Sequence, residues 1–179
     1  MFIAKEKRKT NIAEYILYMW QVEDLIRAHN FDIDLIETNL ISQYAQPPRV
    51  KNDIREWFAD LILMMHEEGV RKRGHVSFLK TLMEDVYDFH LRLMYNDEES
   101  YYHQLFQRAY PFINEIKSKS GNNVSDIETC MNALYGLLLL RLKKKEVSKE
   151  TEKAMATFSQ LIAVLSKKFL EAERGEREI

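Results

Sequence analysis

The five histidines are the first residues to consider for chemistry, because imidazole binds metals and exchanges protons near neutral pH. They are His29, His66, His75, His90 and His103. Di-iron helical bundles use Glu-x-x-His, and none of these histidines has a glutamate three residues before it. Residues 66–70 begin like the His-Glu-x-x-His zinc motif but lack its second histidine. The sequence therefore predicts no metal centre on histidine, and no cofactor.

Two pairs of acidic residues at helical spacing are a second candidate for chemistry. Asp53 with Glu56, and Asp85 with Asp88, each place two carboxylates three residues apart. The pattern loosely resembles the carboxylate pairs with which all-α nucleotide pyrophosphohydrolases hold Mg²⁺, where glutamate usually fills three of the four positions. Mg²⁺ needs oxygen ligands around one point, whereas a helical wheel places most of these acids away from the apolar faces. A Mg²⁺-dependent hydrolase is therefore only an alternative to a protein without catalysis.

Three polar residues fall on apolar helix faces, where a buried charge is costly unless it is paired. Glu23, His90 and Arg141 each have apolar neighbours on the same face of the predicted helix. We expect them to be buried with partners. A structural ion pair or a hydrogen-bonded core histidine is the simpler interpretation. The sharper hypothesis is a polar pocket for a small molecule, lined by Glu23 and His90.

The first predicted helix is apolar over a wide arc. Tyr18 and Leu25 extend its apolar face on one side and Trp20 extends it on the other, so that it covers roughly 220° instead of the 100° or so that a surface helix needs. Tyr110, in a group of aromatic residues around Pro111, falls on the outer face of its helix. Exposed aromatic residues mark interfaces. Tyr18, Leu25 and Tyr110 are therefore candidate interface residues, and they predict a homodimer or a contact with another protein.

The scarcity of turn residues sets the fold class. The chain has 5 glycines and 3 prolines in 179 residues, too few for the regular turns of a β-sandwich or barrel. Apolar residues recur at helical spacing instead. We predict an all-α fold, a single-domain helical bundle of six or seven helices spanning residues 1–179, with a basic N-terminal segment 1–9 and a charged tail 171–179 that frays. The predicted helices cover residues 10–29, 32–45 and 77–96. Another follows an extended break at Pro47 and Pro48 and stops at Gly69, one runs from Asn96 or Asp97 to about Gly121, and two more begin after Ser125 and Ser148.

Local signals place the ends of these helices. Asp32, Ser125 and Ser148 are expected N-caps, because their side-chain oxygens can accept hydrogen bonds from the first free backbone N–H groups. Pro111 lies inside the fifth helix, where it lacks an N–H and clashes with the carbonyl of Gln107. We expect a kink or a break there.

The charge balance argues against nucleic acid and anionic membranes as partners. The formal net charge is −2, which gives no general attraction to polyanions. Basic clusters occur within residues 5–9, 71–73 and 143–145. Each lies at a predicted helix end or loop, where solvated lysines and arginines are ordinary.

The sequence favours a cytoplasmic location. Cys130 is the single cysteine, so no intramolecular disulfide forms, as is typical of a reducing compartment. The first residues lack the apolar core of a signal peptide. The longest stretch without a charged residue, 154–166, is shorter than the 18 or so residues of a membrane span.

Two stretches carry a resemblance to a known family. Residues 1–27, MFIAKEKRKTNIAEYILYMWQVEDLIR, and residues 75–90, HVSFLKTLMEDVYDFH, resemble an uncharacterised all-helical bacterial family of Bacteroidetes type, a domain of unknown function. The resemblance spans nearly the whole chain and implies a cytoplasmic helical protein, without catalytic residues to carry over. Together with the residues above, it favours a non-catalytic protein–protein interaction module, a homodimer, over a small-molecule-binding protein or a Mg²⁺-dependent hydrolase.

Overall fold

A computed structural model describes residues 2–121 and 124–177, and every regular element in these ranges is helical. Two short 3₁₀ turns, Ile41–Gln43 and Asp97–Glu99, accompany the α-helices. The helices are α1 (Phe2–Thr10), α2 (Ile12–Ala28), α3 (Ile33–Asn39), α4 (Pro48–Glu67), α5 (Ser77–Tyr95), α6 (Ser100–Ser120), α7 (Asp126–Leu142) and α8 (Lys149–Glu173). The all-helical prediction is confirmed.

The described residues form eight α-helices, so the predicted number of six or seven is too low. The additional helix is α1, which the basic N-terminal segment forms over its described part, residues 2–9 together with Thr10. Thr10 ends this helix, and Asn11 alone separates α1 from α2. The segment contains no glycine or proline, and its three lysines, its arginine, its alanine and its glutamate are good helix formers.

The three predicted N-caps are confirmed. Asp32 accepts hydrogen bonds from the N–H groups of Asp34 and Leu35 at 2.9 and 3.1 Å. The Ser125 hydroxyl accepts one from Glu128 at 3.1 Å, and the Ser148 hydroxyl accepts one from Thr151 at 3.2 Å. Helix α3 is shorter than the predicted 32–45, because it ends at Asn39 and a 3₁₀ turn follows.

Helix α6 continues through Pro111 from Ser100 to Ser120, so no break occurs there. Its buried residues stand on both sides of the proline, with Leu105 and Ala109 before it and Ile113 after it. Burial of one continuous apolar face favours one helix over two, at the cost of one backbone hydrogen bond.

Contacts divide the described residues into two compact units. The first contains residues 2–9 and 14–82, and α3, the 3₁₀ turn and α4 pack together within it. The second contains residues 10–13, 83–121 and 124–177, in which α6, α7 and α8 pack against one another. Fully buried side chains form the core of each unit, Ile26, Ile36, Phe58 and Met65 in the first and Tyr102, Ile113, Ile127, Phe158 and Leu161 in the second.

The charged tail begins inside helix α8 and forms contacts within the second unit. Helix α8 reaches Glu173, and Arg177 forms ion pairs with Glu99 and Glu171. Fraying of residues 171–177 stays a prediction, and residues 178–179 lie outside the described part of the chain. Of the helices described, none is long and apolar enough to cross a bilayer.

Candidate functional site

Glu23 is fully buried in the first unit and has a partner for each carboxylate oxygen. Oε1 accepts a hydrogen bond of 2.9 Å from the backbone N–H of Val76. Oε2 accepts a hydrogen bond from Nδ1 of His75. Both partners belong to the segment of residues 68–76 that joins α4 to α5, which we call the basic loop. The buried carboxylate is therefore satisfied by a single loop, as burial of a charge requires.

His75 is held in one orientation by Glu23 and by Trp20. Its ring stacks on the buried indole of Trp20, with the centroids 4.6 Å apart and the planes at 17°. Since Nδ1 is engaged by Glu23, Nε2 is the ring nitrogen that can act on a ligand. The side chain is 31% exposed, so solvent reaches the ring. A histidine oriented by a carboxylate is a common arrangement for proton transfer and for ligand binding.

The rest of the basic loop is fixed by Arg27 of α2 and by a contact of its own Glu68 with the first residue of α5. The Arg27 guanidinium donates to the backbone carbonyls of Val70, at 3.0 Å, and Gly74. Glu68 accepts from the hydroxyl of Ser77 at 2.8 Å. Trp20, Glu23 and Arg27 are three and four residues apart, a spacing that places them on one face of α2.

The loop presents three consecutive cations, Arg71, Lys72 and Arg73, all exposed. The guanidinium of Arg71 lies 4.8 Å from the centroid of the Phe31 ring. Gly74 has a φ of +86°, a conformation that favours glycine. The turn at Gly74 lets the chain pass from the exposed cations to the half-buried His75 in a single residue.

Sequence reasoning missed this cluster because it considered His75 only as a metal ligand and residues 71–73 only as a solvated loop. One signal was present. Trp20, Glu23 and Arg27 are spaced so that they lie on one face of a helix. The indole N–H, the carboxylate and the guanidinium on that face all need hydrogen-bond partners, which a polar segment packed against the helix can supply.

His90 is buried in the second unit, with 2% of its surface exposed. Its Nδ1 lies 2.6 Å from the hydroxyl of Tyr102, with which it forms a hydrogen bond. The rings of Phe106 and Tyr87 lie 4.9 and 5.9 Å away between centroids. Burial lowers the pKa of His90 to about 4, although Asp126 opposes this shift, and burial raises the pKa of Tyr102. Both side chains are therefore neutral near pH 7.

The three polar candidates differ in their surroundings. Glu23 and His90 are buried, and the partners given above belong to the same unit as each of them. Arg141 is exposed near the end of α7, so the expectation that it is buried is wrong. The long arginine side chain reaches water from an apolar face, as such side chains commonly do. A pocket lined by Glu23 and His90 stays a prediction.

The three interface candidates are not equally accessible. Tyr18 and Leu25 are half-buried, and burial, with a smaller effect of Tyr44, raises the pKa of Tyr18 to about 12. Tyr110 is 47% exposed. Its ring lies 5.7 Å from that of Phe106.

A row of rings thus leads from the buried His90 to the surface of the second unit. We call the half-buried and exposed members of this row, Tyr87, Phe106 and Tyr110, the aromatic surface. Neighbouring rings in the row lie between 4.9 and 5.9 Å apart, centroid to centroid.

The acidic pairs are exposed. Asp53 and Glu56 lie on α4, where Glu56 accepts a hydrogen bond of 2.7 Å from Asn52, and Asp85 and Asp88 lie on α5. Within the described ranges, no group of three or more histidine, cysteine, aspartate or glutamate side chains is placed to hold a metal ion.

Comparison with known proteins gives one match. The model of a family described as a domain of unknown function, DUF4924, matches residues 1–176. No curated protein and no solved structure matches the chain. The resemblance of residues 1–27 and 75–90 to a domain of unknown function is confirmed.

Proposed function

Since the chain belongs to the DUF4924 family, a domain of unknown function, we propose from its own residues that it is a non-catalytic helical module that acts by protein–protein contact, as a homodimer. The observation that supports this proposal most is the aromatic surface. Tyr110 is 47% exposed while its ring packs on Phe106. Large aromatic side chains anchored in this way are typical of interface hot spots.

The aromatic surface is well suited to binding because its rings are already ordered. Phe106 and Tyr110 are one helical turn apart on α6, and Phe106 packs on the buried His90. A side chain that is immobile before association loses little conformational entropy when a partner covers it.

A second copy of the chain is the partner that this surface fits best. In a twofold dimer the same patch meets itself, and aromatic rings pack favourably against other aromatic rings in offset or edge-to-face geometry. A surface made of Tyr87, Phe106 and Tyr110 is therefore self-complementary. Tyr18 and Leu25 remain candidates for a further contact on the first unit.

Light scattering after size-exclusion chromatography tests the homodimer. We expect a dimer at micromolar concentration, and we expect Tyr110→Ser to weaken its dissociation constant at least tenfold. Tyr95→Ser is the matched control, since Tyr95 is 87% exposed but lies outside the row of rings. A monomer at all concentrations would overturn the proposal. Equal dimerisation of the two variants would overturn the assignment of the surface, and Tyr18→Ser and Leu25→Ser would then test the first unit.

A second candidate function is small-molecule binding, and the arrangement of Glu23 and His75 favours it. A fully buried carboxylate here orients a half-exposed imidazole, an arrangement that ligand-binding sites commonly use. A thermal-shift screen of metabolites and Mg²⁺ tests this candidate together with the Mg²⁺-dependent hydrolase, because a ligand at 100 times its Kd adds about 2.7 kcal/mol of stability.

We also propose a single-domain, cytoplasmic, bacterial protein. The single cysteine, Cys130, is buried and unpaired with any other cysteine, which fits a reducing compartment. Limited digestion of the native protein with trypsin tests the domain organisation. A single domain gives no stable domain-sized fragments, whereas two separate domains are released as such fragments.

A further inference from the structure

We propose that the basic loop is a binding site for a small phosphorylated ligand, such as a pyrophosphate or a phosphate ester. The inference deepens the second candidate function, small-molecule binding at Glu23 and His75, and is independent of the homodimer proposed above. It rests on three features of the loop within the first unit, which are its fixed backbone, its unneutralised cations and the orientation of His75.

The backbone of the loop is fixed before any ligand arrives. Arg27 donates to the carbonyls of Val70 and Gly74, and Glu23 accepts from the N–H of Val76. These contacts hold the loop on both sides of residues 71–73. A binding segment that is already in place avoids the entropy cost of ordering on association.

The cations of the loop are not neutralised by the carboxylates of its anchors. In the part of the chain that the structure describes, neither Lys72 nor Arg73 forms an ion pair.

The carboxylates near the loop have other partners. Glu23 is engaged by His75 and Val76. Asp24 pairs with Arg27 at 2.9 Å, and Glu68 accepts from Ser77. The loop therefore concentrates positive charge that an anion can neutralise.

The donors of the loop match a phosphate group. Arginine binds phosphate oxygens through two parallel N–H groups, and lysine supplies a compact charge. His75 adds Nε2, which donates to a phosphate oxygen when the ring is protonated and accepts from a phosphate or sugar hydroxyl when it is neutral. Glu23 and Trp20 act here as positioning residues, because they fix the ring without reaching the ligand.

The size of the cluster favours a small ligand over a nucleic acid. Three cations and one histidine lie within residues 71–75, whereas proteins that bind duplexes commonly contact about 6 to 10 phosphates. The net charge of −2 also opposes attraction to a long polyanion. The charge of the loop therefore suits a ligand that carries one to three phosphate groups.

Calorimetric titration with pyrophosphate at fixed ionic strength tests the site. We expect saturable binding to the full chain, and at least a tenfold weaker affinity for the double variant Lys72→Ala, Arg73→Ala. The matched control is Lys143→Ala, Lys145→Ala, which removes two exposed lysines from another of the basic clusters, beyond α7. We expect the control to bind as the wild type does. Absence of saturable binding, or an equal loss in both double variants, overturns the proposal.

The part played by His75 has a separate readout. We expect pyrophosphate to shift the ¹⁵N resonance of His75 Nε2, and we expect Glu23→Gln to reduce both this shift and the affinity by about threefold while the chain stays folded by circular dichroism. His75→Gln should weaken binding without affecting the fold. An Nε2 resonance that does not respond removes His75 from the site. A single-stranded RNA that binds far more tightly than pyrophosphate, and loses that affinity in the Lys72, Arg73 variant, would overturn the small-ligand class.

Discussion

His90 and Tyr102 form a hydrogen bond inside the second unit, with 2.6 Å between Nδ1 and the hydroxyl oxygen. Tyr102 is completely buried and His90 is 2% exposed. A neutral imidazole and a protonated phenol satisfy each other without a buried charge, which is the least costly way to place two polar groups in a core.

This pair makes the stability of the protein depend on pH. Burial lowers the pKa of His90 to about 4 from its ordinary 6.5, so between these values the unfolded chain binds the proton and the folded chain does not. Stability from this residue is fully present above pH 6.5 and is lost as the pH falls toward 4. The expected loss by pH 4.5 is about 2 to 3 kcal/mol.

Urea unfolding at pH 7.5 and 4.5 measures this loss. His90→Gln is the control, because glutamine can still form a hydrogen bond with Tyr102 but does not titrate. The pH dependence of the variant should be smaller than that of the wild type by about 2 to 3 kcal/mol, with the carboxylates contributing equally to both. Equal slopes in the two proteins would show that His90 is protonated without penalty.

Glu23 should respond differently to two substitutions of similar size. Glu23→Gln keeps an oxygen that can accept from the N–H of Val76, whereas Glu23→Leu leaves that buried N–H without an acceptor. We expect the leucine variant to lose about 1 to 3 kcal/mol, the usual cost of an unsatisfied buried group, and the glutamine variant to lose less. Hydrogen exchange at the Val76 amide should accelerate in the leucine variant only. If the Glu23→Leu variant is as stable as the wild type, the Glu23 carboxylate does not contribute to stability.

Replacing Pro111 should stabilise α6. Pro111 is exposed inside a continuous helix, so Pro111→Ala restores an N–H donor to the carbonyl of Gln107 and removes a steric clash. The larger conformational freedom of alanine in the unfolded chain offsets part of this gain. We expect a net gain of about 1 to 2 kcal/mol, or a rise in Tm of about 2 to 8 °C, in a calorimetric scan.

Pro48→Ala is the matched control for this substitution. Pro48 is the first residue of α4, where its missing N–H costs nothing and its fixed φ favours the helix. The control should leave Tm unchanged or lower it. If the Tm of Pro111→Ala is also unchanged or lower, Pro111 does not destabilise α6.

The helices could be predicted from the sequence because their signals are local. Caps such as Asp32, Ser125 and Ser148 act within one turn, and apolar spacing acts within a few turns. The pairing of Glu23 with His75 could not be predicted, since it joins residues 52 positions apart through a loop with no periodic pattern. The same limit explains Arg141, because spacing places it on an apolar face but does not show whether a neighbouring helix covers that face.

Composition predicts a frayed tail because it shows only the charges of the segment, and it does not show the contact of Arg177 with Glu99. Glu99 is 4% exposed, and its carboxylate pairs with Lys168 at 2.9 Å and with Arg177. Burial raises the pKa of Glu99, but the two cations more than offset this, so that the pKa lies below its usual value. The stability that this carboxylate contributes is present above its unfolded pKa and is lost as the pH falls through the folded one.

A double-mutant cycle on Glu99 and Arg177 tests whether the tail is held by this contact. Glu99→Gln removes the charge that both cations share, and Arg177→Ala removes one partner while Lys168 remains. We expect Arg177→Ala to cost about 1 kcal/mol and Glu99→Gln to cost more, with a coupling of about 0.5 kcal/mol or above between them, as is usual for residues in contact. Lys167→Ala is a suitable control, because Lys167 is 78% exposed and pairs weakly with Glu171 at 3.7 Å, an arrangement worth little in water. Strictly additive effects would mean that Arg177 contributes to stability without acting through Glu99, and that α8 does not need the tail contact to reach Glu173.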